Sequence, residues 1–403
     1  MIMASCHKSV QSPGTSKTLD LPAGSPAVIA AGNQFALNFF ANLLQQDTAS
    51  DNKLISPFSI YMALSMVYNG AAGATRDSMA KALALEGIST AELNDVSAAL
   101  IKQLPSEDSK VSMSVANSLW YQQTGPQPVP GFLDSMTEDY NGYIQSLDFA
   151  SPASVTTINS WIAAKTDNKI TNLISTLSPA DLMVLVNAIY FDGSWLYAFN
   201  TADTRNNPFY LSNGTTRSVP FMNQQVTLRW YNDSAYTLLE LPYGTGKNFD
   251  MYVVMPANQQ ASLGSFAASF SSSNWAAALS HLDSQSISLY LPKWQTSYFI
   301  PNMSPELNSL GMGIAFGQGA DFSAMFSSSA AISQAAHKAY IDVSETGTVA
   351  AAATAITVIA TVVGSTPMIP VVMVDHPYLY FIVEKQTGDI LFIGTMNDPS
   401  SQN

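Results

Sequence analysis

The sequence is short of cysteine and of basic residues, and each shortage excludes something. Its single cysteine, Cys6, allows no internal disulfide, so packing must hold the fold together. Lys and Arg number 16 against 29 Asp and Glu, which gives a formal net charge of −13 at pH 7. Such a surface repels nucleic acid and heparin-type polyanions, and no basic segment compensates for it. We therefore expect neither of them as a partner.

Catalytic and metal-binding motifs are missing as well. The sequence has no G-x-S-x-G elbow, no H-E-x-x-H pair and no phosphate-binding loop. A Ser/His/Asp hydrolase would need a base from only four histidines, which are His7, His281, His337 and His376. The sequence therefore predicts a protein that is not an enzyme, with no catalytic residues, no metal and no cofactor. A hydrolase remains the least favoured alternative.

The N-terminal region differs in composition from the rest of the chain. Residues 1–30 include a stretch rich in Ser, Thr, Pro and Gly, which is typical of a disordered tether. Small residues precede Cys6, as at the end of a bacterial lipoprotein signal, although the apolar region of such a signal is missing. Two interpretations stay open, namely a lipid anchor at Cys6 and a cysteine without a role. An ordered domain is predicted over 31–398, with a tail over 399–403.

The hydrophobic pattern changes along the domain. Phe35, Phe39 and Leu43 keep helical spacing, and Ser56 followed by Pro57 is a good helix start. The continuous apolar run at 182–191 and the paired runs at 379–383 and 390–395 are typical of buried strands. Helices dominate the first half and strands the second, with no internal repeat or linker. The pattern predicts one large α+β domain.

Five segments, taken together, resemble the signatures of one known family. They are SPFSI at 56–60 with GAAGAT at 70–75, VNAIYFDGSW at 186–195, HK at 337–338, E-x-G-T-x-AAAAT at 345–354, and DHPY at 375–378 with LFIG at 391–394. In this order and at this spacing they resemble the serpin family of serine protease inhibitors across residues 31–398.

The resemblance implies a fold and an activity. The implied fold is a single large domain with a large central mixed sheet, further smaller sheets, eight or nine helices and an exposed reactive-centre loop over about residues 345–376. The implied activity is suicide inhibition. A serine protease, or as a further class a cysteine protease, cuts the loop and forms an acyl-enzyme, and the cut loop then enters the sheet as a new strand. Together with Cys6, the resemblance points to a monomeric bacterial inhibitor, extracellular or at the cell surface.

The resemblance also assigns roles to particular residues. The hinge, where the loop leaves the sheet, is Glu345, Gly347, Thr348, Ala350, Ala351, Ala352, Ala353 and Thr354. Under the sheet, a shutter cluster comprises Ser56, Ser59, Asn187 and His337, and at its top a breach cluster comprises Trp195, Lys293 and Glu345. Successive side chains of a strand face opposite sides. If Thr348 points inward, small or apolar residues follow at every second position and can be buried, whereas a charge there would be costly.

The scissile bond is less well defined. Counting forward from Gly347 by the family spacing gives Thr361–Val362, whereas counting back from Pro377 gives Thr366. We favour Thr361–Val362, with bonds involving Ile359, Ala360 or Val363 as alternatives. No Lys, Arg or aromatic residue lies between 347 and 373, so the bait suits the small pockets of elastase-like or subtilisin-like proteases. The alternative function is a non-inhibitory binding or chaperone serpin that is merely cleaved.

Overall fold

The computed structural model describes residues 14–333, 335–348 and 369–401. Within these ranges the α-helices are α1 Ser25–Gln46, α2 Pro57–Asn69, α3 Gly73–Ala82, α4 Thr90–Gln103, α5 Pro130–Glu138, α6 Pro152–Lys165, α7 Leu263–Ala267, α8 Ser272–Ser280 and α9 Ser304–Ser309. The strands are β1 Lys53–Ile55, β2 Val111–Gln122, β3 Tyr143–Leu147, β4 Met183–Ser194, β5 Arg205–Tyr210, β6 Thr216–Asn232, β7 Tyr236–Pro242, β8 Phe249–Pro256, β9 Asp283–Pro292, β10 Trp294–Ile300, β11 His337–Ser344, β12 Gly347–Thr348, β13 Val371–Met373, β14 Tyr378–Glu384 and β15 Asp389–Met396.

These strands form two mixed sheets. The six-stranded sheet has the order β10-β11-β12-β4-β2-β3, with β2 and β3 parallel. The nine-stranded sheet follows the order β1-β15-β14-β8-β7-β6-β9-β13, with β5 paired to β6. The predicted α+β class and single-domain fold are confirmed. All the other strands belong to the nine-stranded sheet, so the sheet that carries the hinge is the smaller of the two.

Aromatic side chains join the two sheets into one core. The ring of Phe191 on β4 lies 5.2 Å from that of Tyr243, 5.6 Å from that of Phe249 on β8 and 6.3 Å from that of Phe392 on β15. Every residue of β14 and β15 is buried, as expected for strands covered on both faces. The hairpin predicted from their apolar runs is therefore confirmed. Through Phe392 the hairpin packs against Phe191 of β4, a strand of the hinge-bearing sheet.

Helix α2 begins as the sequence predicts. Ser56 is its N-cap and accepts a hydrogen bond from the Ser59 amide, and Pro57 occupies the first turn, where no amide hydrogen is needed. Nearly all of its side chains are buried, because α2 packs against both β4 and β15. The cap and the first turn thus bring two serines of the shutter cluster under the sheet.

The predicted tether over 1–30 needs correction for the residues that the structure describes. Helix α1 begins at Ser25 rather than near 31. Before it, Lys17 donates its amide hydrogen to the Glu107 carbonyl at 2.8 Å, and Asp20 donates its own to Gln103 Oε1 at 2.8 Å. Composition misled the prediction, because backbone hydrogen bonds can fix a Ser-, Pro- and Gly-rich segment without hydrophobic periodicity.

Helix α1 is long and apolar enough to cross a membrane, a property that the sequence analysis did not assign to any segment. Half of its apolar window is buried within the fold, and Phe35 and Phe39 are completely buried in the core. These contacts are typical of the core helix of a globular domain.

Candidate functional site

The hinge enters the six-stranded sheet as a strand of two residues. Gly347 and Thr348 pair with Ser344 and Val343 of β11 on one side, and with Ser194 and Gly193 of β4 on the other. Thr348 is completely buried, and its hydroxyl lies 2.6 Å from that of Tyr243. Its side chain therefore points into the interior, the orientation on which the alternation argument depends.

Two glycines make this close approach possible. Gly347 has φ of +148°, and a Cβ there would lie only 2.1 Å from the Gly193 carbonyl oxygen. A Cβ on Gly193 would lie 2.8 Å from ring atoms of both Phe191 and Tyr243. Any side chain at either position would push the hinge away from β4 or displace Tyr243 from beneath it.

The breach cluster lies at the same end of the sheet. Lys293 Nζ lies 2.8 Å from Glu345 Oε2, and Thr204 donates its hydroxyl hydrogen to Glu345 Oε1 at 2.9 Å. Burial raises the pKa of Glu345, but hydrogen bonds from Lys293, from the backbone of Glu345 itself and from Thr204, together with the charge of Lys293, outweigh it. The net pKa lies below its ordinary value. Glu345 is therefore held as an anion at the turn between β11 and β12.

Trp195 closes this end of the sheet. Its indole Nε1 donates to the Ser344 carbonyl at 2.9 Å, and its backbone amide donates to the Thr346 carbonyl at 2.9 Å. Its ring stacks on that of Tyr243 with a centroid distance of 4.4 Å. The structure thus brings together the three residues that the sequence assigned to the breach cluster.

The shutter cluster lies lower, between the sheet and α2. Ser56 donates its amide hydrogen to His337 Nε2 at 3.0 Å and its hydroxyl hydrogen to the Leu391 carbonyl at 2.7 Å. Ser59 donates its hydroxyl hydrogen to Asn187 Oδ1. The four residues therefore form two side-by-side links, one from α2 to β11 and one from α2 to β4.

The His337 ring is uncharged at ordinary pH. Burial alone lowers its pKa to about 3, and its Nε2 accepts the Ser56 amide hydrogen, which requires the neutral ring with the proton on Nδ1. A charged His337 would lose this bond and remain buried.

The strands that flank the hinge separate below it. Within the described residues, β4 and β11 are not paired with each other. Each of them pairs with β12, which is only two residues long. A cavity of about 250 Å³ lies there, lined by Leu185 and Asn187 of β4, His337 of β11, and Ser59 and Leu64 of α2. The shutter cluster therefore borders an open space between the two strands.

Sequence reasoning missed several partners of these residues. Asn187 donates its side-chain hydrogen to Asn117 Oδ1 on β2, and Asn117 in turn donates to the Tyr140 carbonyl at 2.7 Å. Tyr243 and Thr204 were missed as well. The one usable signal was Asn117 itself, an amide in a strand that also contains Leu119 and Trp120, because a buried amide needs hydrogen-bond partners.

Part of the predicted site lies outside the described residues. This applies to the hinge residues Ala350, Ala351, Ala352, Ala353 and Thr354, to the scissile-bond candidates Ile359, Ala360, Thr361, Val362 and Val363, and to Cys6.

No hydrolytic site forms around the described histidines. His376 has Asp375 at 2.8 Å from Nδ1, but its Nε2 lies against the Pro256 carbonyl oxygen at 2.7 Å rather than a hydroxyl. His281 stacks on Tyr231 with a ring distance of 4.8 Å. Among the residues with a described position, no group of three or more His, Cys, Asp or Glu is arranged to hold a metal ion.

Comparison with known proteins agrees with this geometry. The family model described as "Serpin (serine protease inhibitor)" matches residues 30–399. An uncharacterized serpin-like protein of Thermococcus kodakarensis is 32% identical over 377 residues, covering 92% of this chain and 86% of the relative. Serpin B6 of Macaca fascicularis is 32% identical over 381 residues, covering 92% and 98%.

Solved structures show the same fold. Native tengpin, a thermophilic serpin, superposes with a TM-score of 0.84 at 28% identity, covering 95% of this chain and 96% of that one. Human thyroxine-binding globulin, solved in complex with its hormone, gives 0.83 at 27% identity, covering 94% and 100%. The matched family is in general one of protease inhibitors rather than enzymes. The chain belongs to the serpin family.

Proposed function

We propose that the protein is a suicide inhibitor of serine proteases with small aliphatic specificity. In this proposal the cleaved loop is inserted between β4 and β11. One observation carries the proposal. Gly347 and Thr348 already occupy the first two places of a strand between β4 and β11, while below them these two strands, as far as the chain is described, share no ladder and border a cavity. A strand that lengthens from this start would fill the space.

The register gives the proposed insertion a definite end point. If both ladders continue from Thr348 in the same register, Thr354 comes to lie opposite Asn187 on β4 and His337 on β11. Because Thr348 faces inward, Ala350, Ala352 and Thr354 would face inward too. The two alanines fit a packed interior, and the Thr354 hydroxyl would meet polar partners in the shutter cluster.

The proposed chemistry needs nothing from this protein except the bait. The nucleophilic hydroxyl of the protease attacks the Thr361 carbonyl carbon, the bond to Val362 breaks, and the amine of Val362 leaves with the proton. An ester then joins Thr361 to the protease. Insertion of the loop moves this ester away from the hinge by about 3.3 Å for each residue inserted. Distortion of the protease then prevents hydrolysis of the ester.

Incubation with an elastase-like or a subtilisin-like protease tests the proposal. We expect a covalent complex that survives boiling in SDS, and no comparable complex with trypsin, because the bait offers no cation. A clipped chain without a complex would contradict the proposal and favour a non-inhibitory binding serpin. The similarity to thyroxine-binding globulin keeps that second function in view. Mass spectrometry of the released C-terminal peptide identifies the scissile bond, which we place at Thr361–Val362.

We further propose that the protein acts as a monomer outside the cell or at its surface. The acidic surface supports a partner other than a polyanion, and a cysteine protease is a second class of target. Lipidation of Cys6 would anchor the chain through the N-terminal segment. Mass spectrometry of the protein isolated from its source tests this, because a Cys6 without a lipid would exclude the anchor.

A further inference from the structure

We propose that Glu107 and Glu384 share a single proton, and that this buried pair fastens residues 14–20, the N-terminal segment, to the turn between β14 and β15. The inference does not depend on the proposed trap. It concerns how the start of the chain is held on the body of the domain.

The two carboxyl groups meet in a buried place. Glu107 follows the short 3-10 turn Leu104–Ser106, and Glu384 ends β14; both are buried. Gln386 reaches both of them, because its amide hydrogen goes to Glu384 Oε1 at 2.6 Å and its side-chain Nε2 donates to Glu107 Oε1 at 2.7 Å. Among the described residues no ion pair reaches either carboxyl, so no cation offsets a double negative charge.

Counting the donors places the proton. Glu384 already accepts hydrogen bonds from the amide of Gln386, from the amide of Thr387 at 2.9 Å and from the Thr387 hydroxyl. Glu107 Oε1 accepts from Asn248 at 2.5 Å and from Gln386. Glu107 Oε2 is buried and receives no donor, and Glu384 is near enough for its charge to raise the pKa of Glu107. This arrangement is satisfied when Glu107 Oε2 carries a proton and donates it to Glu384.

The surrounding charges support this assignment. Burial, followed by the charge of Glu384, raises the pKa of Glu107 to about 8, despite the bonds from Asn248 and Gln386. Burial and then Glu384 also raise the pKa of Asp389, across the same turn, to about 7. The neighbouring cation Lys385 is engaged by Glu240 and Asp250 at 2.8 and 2.9 Å. Two further charged residues lie next to Glu107 or its partners. Asp108 accepts a hydrogen bond from the Thr245 amide, and the Lys17 side chain is exposed to solvent.

The side chains that hold Glu107 also hold the N-terminal segment. The Lys17 amide donates to the Glu107 carbonyl at 2.8 Å, and the Lys17 carbonyl accepts from Asn248 at 2.9 Å and from Gln386 at 3.1 Å. The Leu19 amide donates to Gln386 Oε1 at 3.2 Å. Two negative carboxylates in contact would repel each other, and they would draw Asn248 and Gln386 away from the segment.

The sign of the pH effect follows from the raised pKa. The folded protein holds the Glu107 proton more tightly than the unfolded chain, in which a glutamate titrates near 4.5. The stabilisation from this group is therefore complete below pH 4.5 and is lost as the pH rises through about 8. Glu107→Gln replaces the protonated acid by a neutral group that can still donate to Glu384, so the variant lacks this titration.

The first test compares the unfolding of wild type and Glu107→Gln between pH 5 and pH 9. We expect the stability of the variant relative to wild type to rise from pH 5 to about pH 8 and then to level off, with the variant the more stable at pH 9. Taking the difference removes the titration of Asp389, which both proteins share. A difference that is constant with pH would overturn the proposal. Glu107→Met, which lacks the hydrogen bonds, should show the same trend from a lower starting stability and serves if the first variant does not fold.

The second test measures release of the N-terminal segment. Trypsin cuts after Lys17 when this segment is detached, and mass spectrometry distinguishes this cut from others. We expect the ratio of the wild-type rate to the Glu107→Gln rate to rise several-fold from pH 7 to pH 9. The same ratio for cleavage after Lys81, in α3, should stay constant and corrects for the pH dependence of trypsin. Equal rates after Lys17 at pH 9 would overturn the clamp.

Discussion

At the end of the sheet near Trp195, which we call the upper region, the backbone of β12 lies between β4 and β11. Gly347 and Thr348 pair with the strands on both sides. At the lower end the same two strands are held through side chains. His337 and Asn187 are tied to α2 by Ser56 and Ser59, beside a cavity of about 250 Å³. In the described part of the chain, one sheet thus contains a region with a backbone ladder on both sides of β12 and a region without such a ladder.

The difference indicates a separate role for each region in the proposed mechanism, one at the start of insertion and one at its end. The upper region has the first residues of the new strand in register, so lengthening needs no new nucleation. The lower region is held by separate hydrogen bonds, each of which contributes only about 1 kcal/mol and can be exchanged singly for another. Insertion should therefore start at the hinge and end at the shutter cluster.

Cleavage of the loop should remove the difference between the two regions. A strand that fills the lower region would add roughly ten backbone hydrogen bonds at about 1 kcal/mol each, which corresponds to a rise in Tm on the order of 10 °C for a chain of this length. Calorimetry of the intact and the clipped protein measures this rise. Equal melting temperatures would mean that cleavage adds no strand between β4 and β11, which would contradict the proposed trap.

A charge at the end of the upper region should stop insertion. Thr348→Arg would bury a guanidinium against Tyr243 at a cost of several kcal/mol, so we expect loop cleavage without an SDS-stable complex. The matched control is Val349→Arg, because the next residue of an inserted strand faces the opposite side. Gel analysis after incubation with protease should show a complex only for the control. A complex of equal yield from Thr348→Arg would refute the inward orientation.

The sequence and the structure agree best where a short motif determines local geometry. Ser56 and Pro57 start α2, and the apolar runs of β14 and β15 form a buried hairpin, because capping and burial depend on neighbouring residues. Within the clusters named from the family signature, Ser56 meets His337, Ser59 meets Asn187 and Lys293 meets Glu345 at hydrogen-bonding distance. Their roles as shutter and breach stay predictions.

The partners from distant parts of the chain could not be predicted. Tyr243 meets Thr348 and Asn117 meets Asn187 only because separate strands lie in register, and no local pattern marks a buried hydroxyl or amide with its partner. The N-terminal segment escaped prediction for a related reason. Its bonds to Glu107 and Gln386 use backbone groups, which every sequence has.

A third experiment tests the lower region through pH. The pKa of His337 is lowered by burial to about 3, so the unfolded chain binds its proton more tightly. Stability from this residue is present above pH 6.5, the ordinary histidine value, and is lost as the pH falls towards 3, by about 1.4 kcal/mol per pH unit. His337→Gln should flatten the unfolding profile between pH 6 and pH 4 relative to wild type. Identical profiles for the variant and wild type would contradict a buried neutral His337.

The smallest expected effect concerns the hydrogen bond between Tyr243 and Thr348, which should be worth about 1 kcal/mol. Tyr243→Phe keeps the stacking on Trp195 and removes only the hydroxyl, so the hinge should leave the sheet more often. The clipped fraction, which is the share of the protein that a protease cuts without forming a covalent complex, should then rise a few-fold. Thr348→Val removes the other partner, and the double variant should be little worse than either single one. Tyr61→Phe, which loses a buried hydroxyl far from the hinge, should lower stability without changing this fraction. Additive effects of the two hinge variants would mean that the bond does not hold the upper region closed, and that backbone pairing alone seats the hinge.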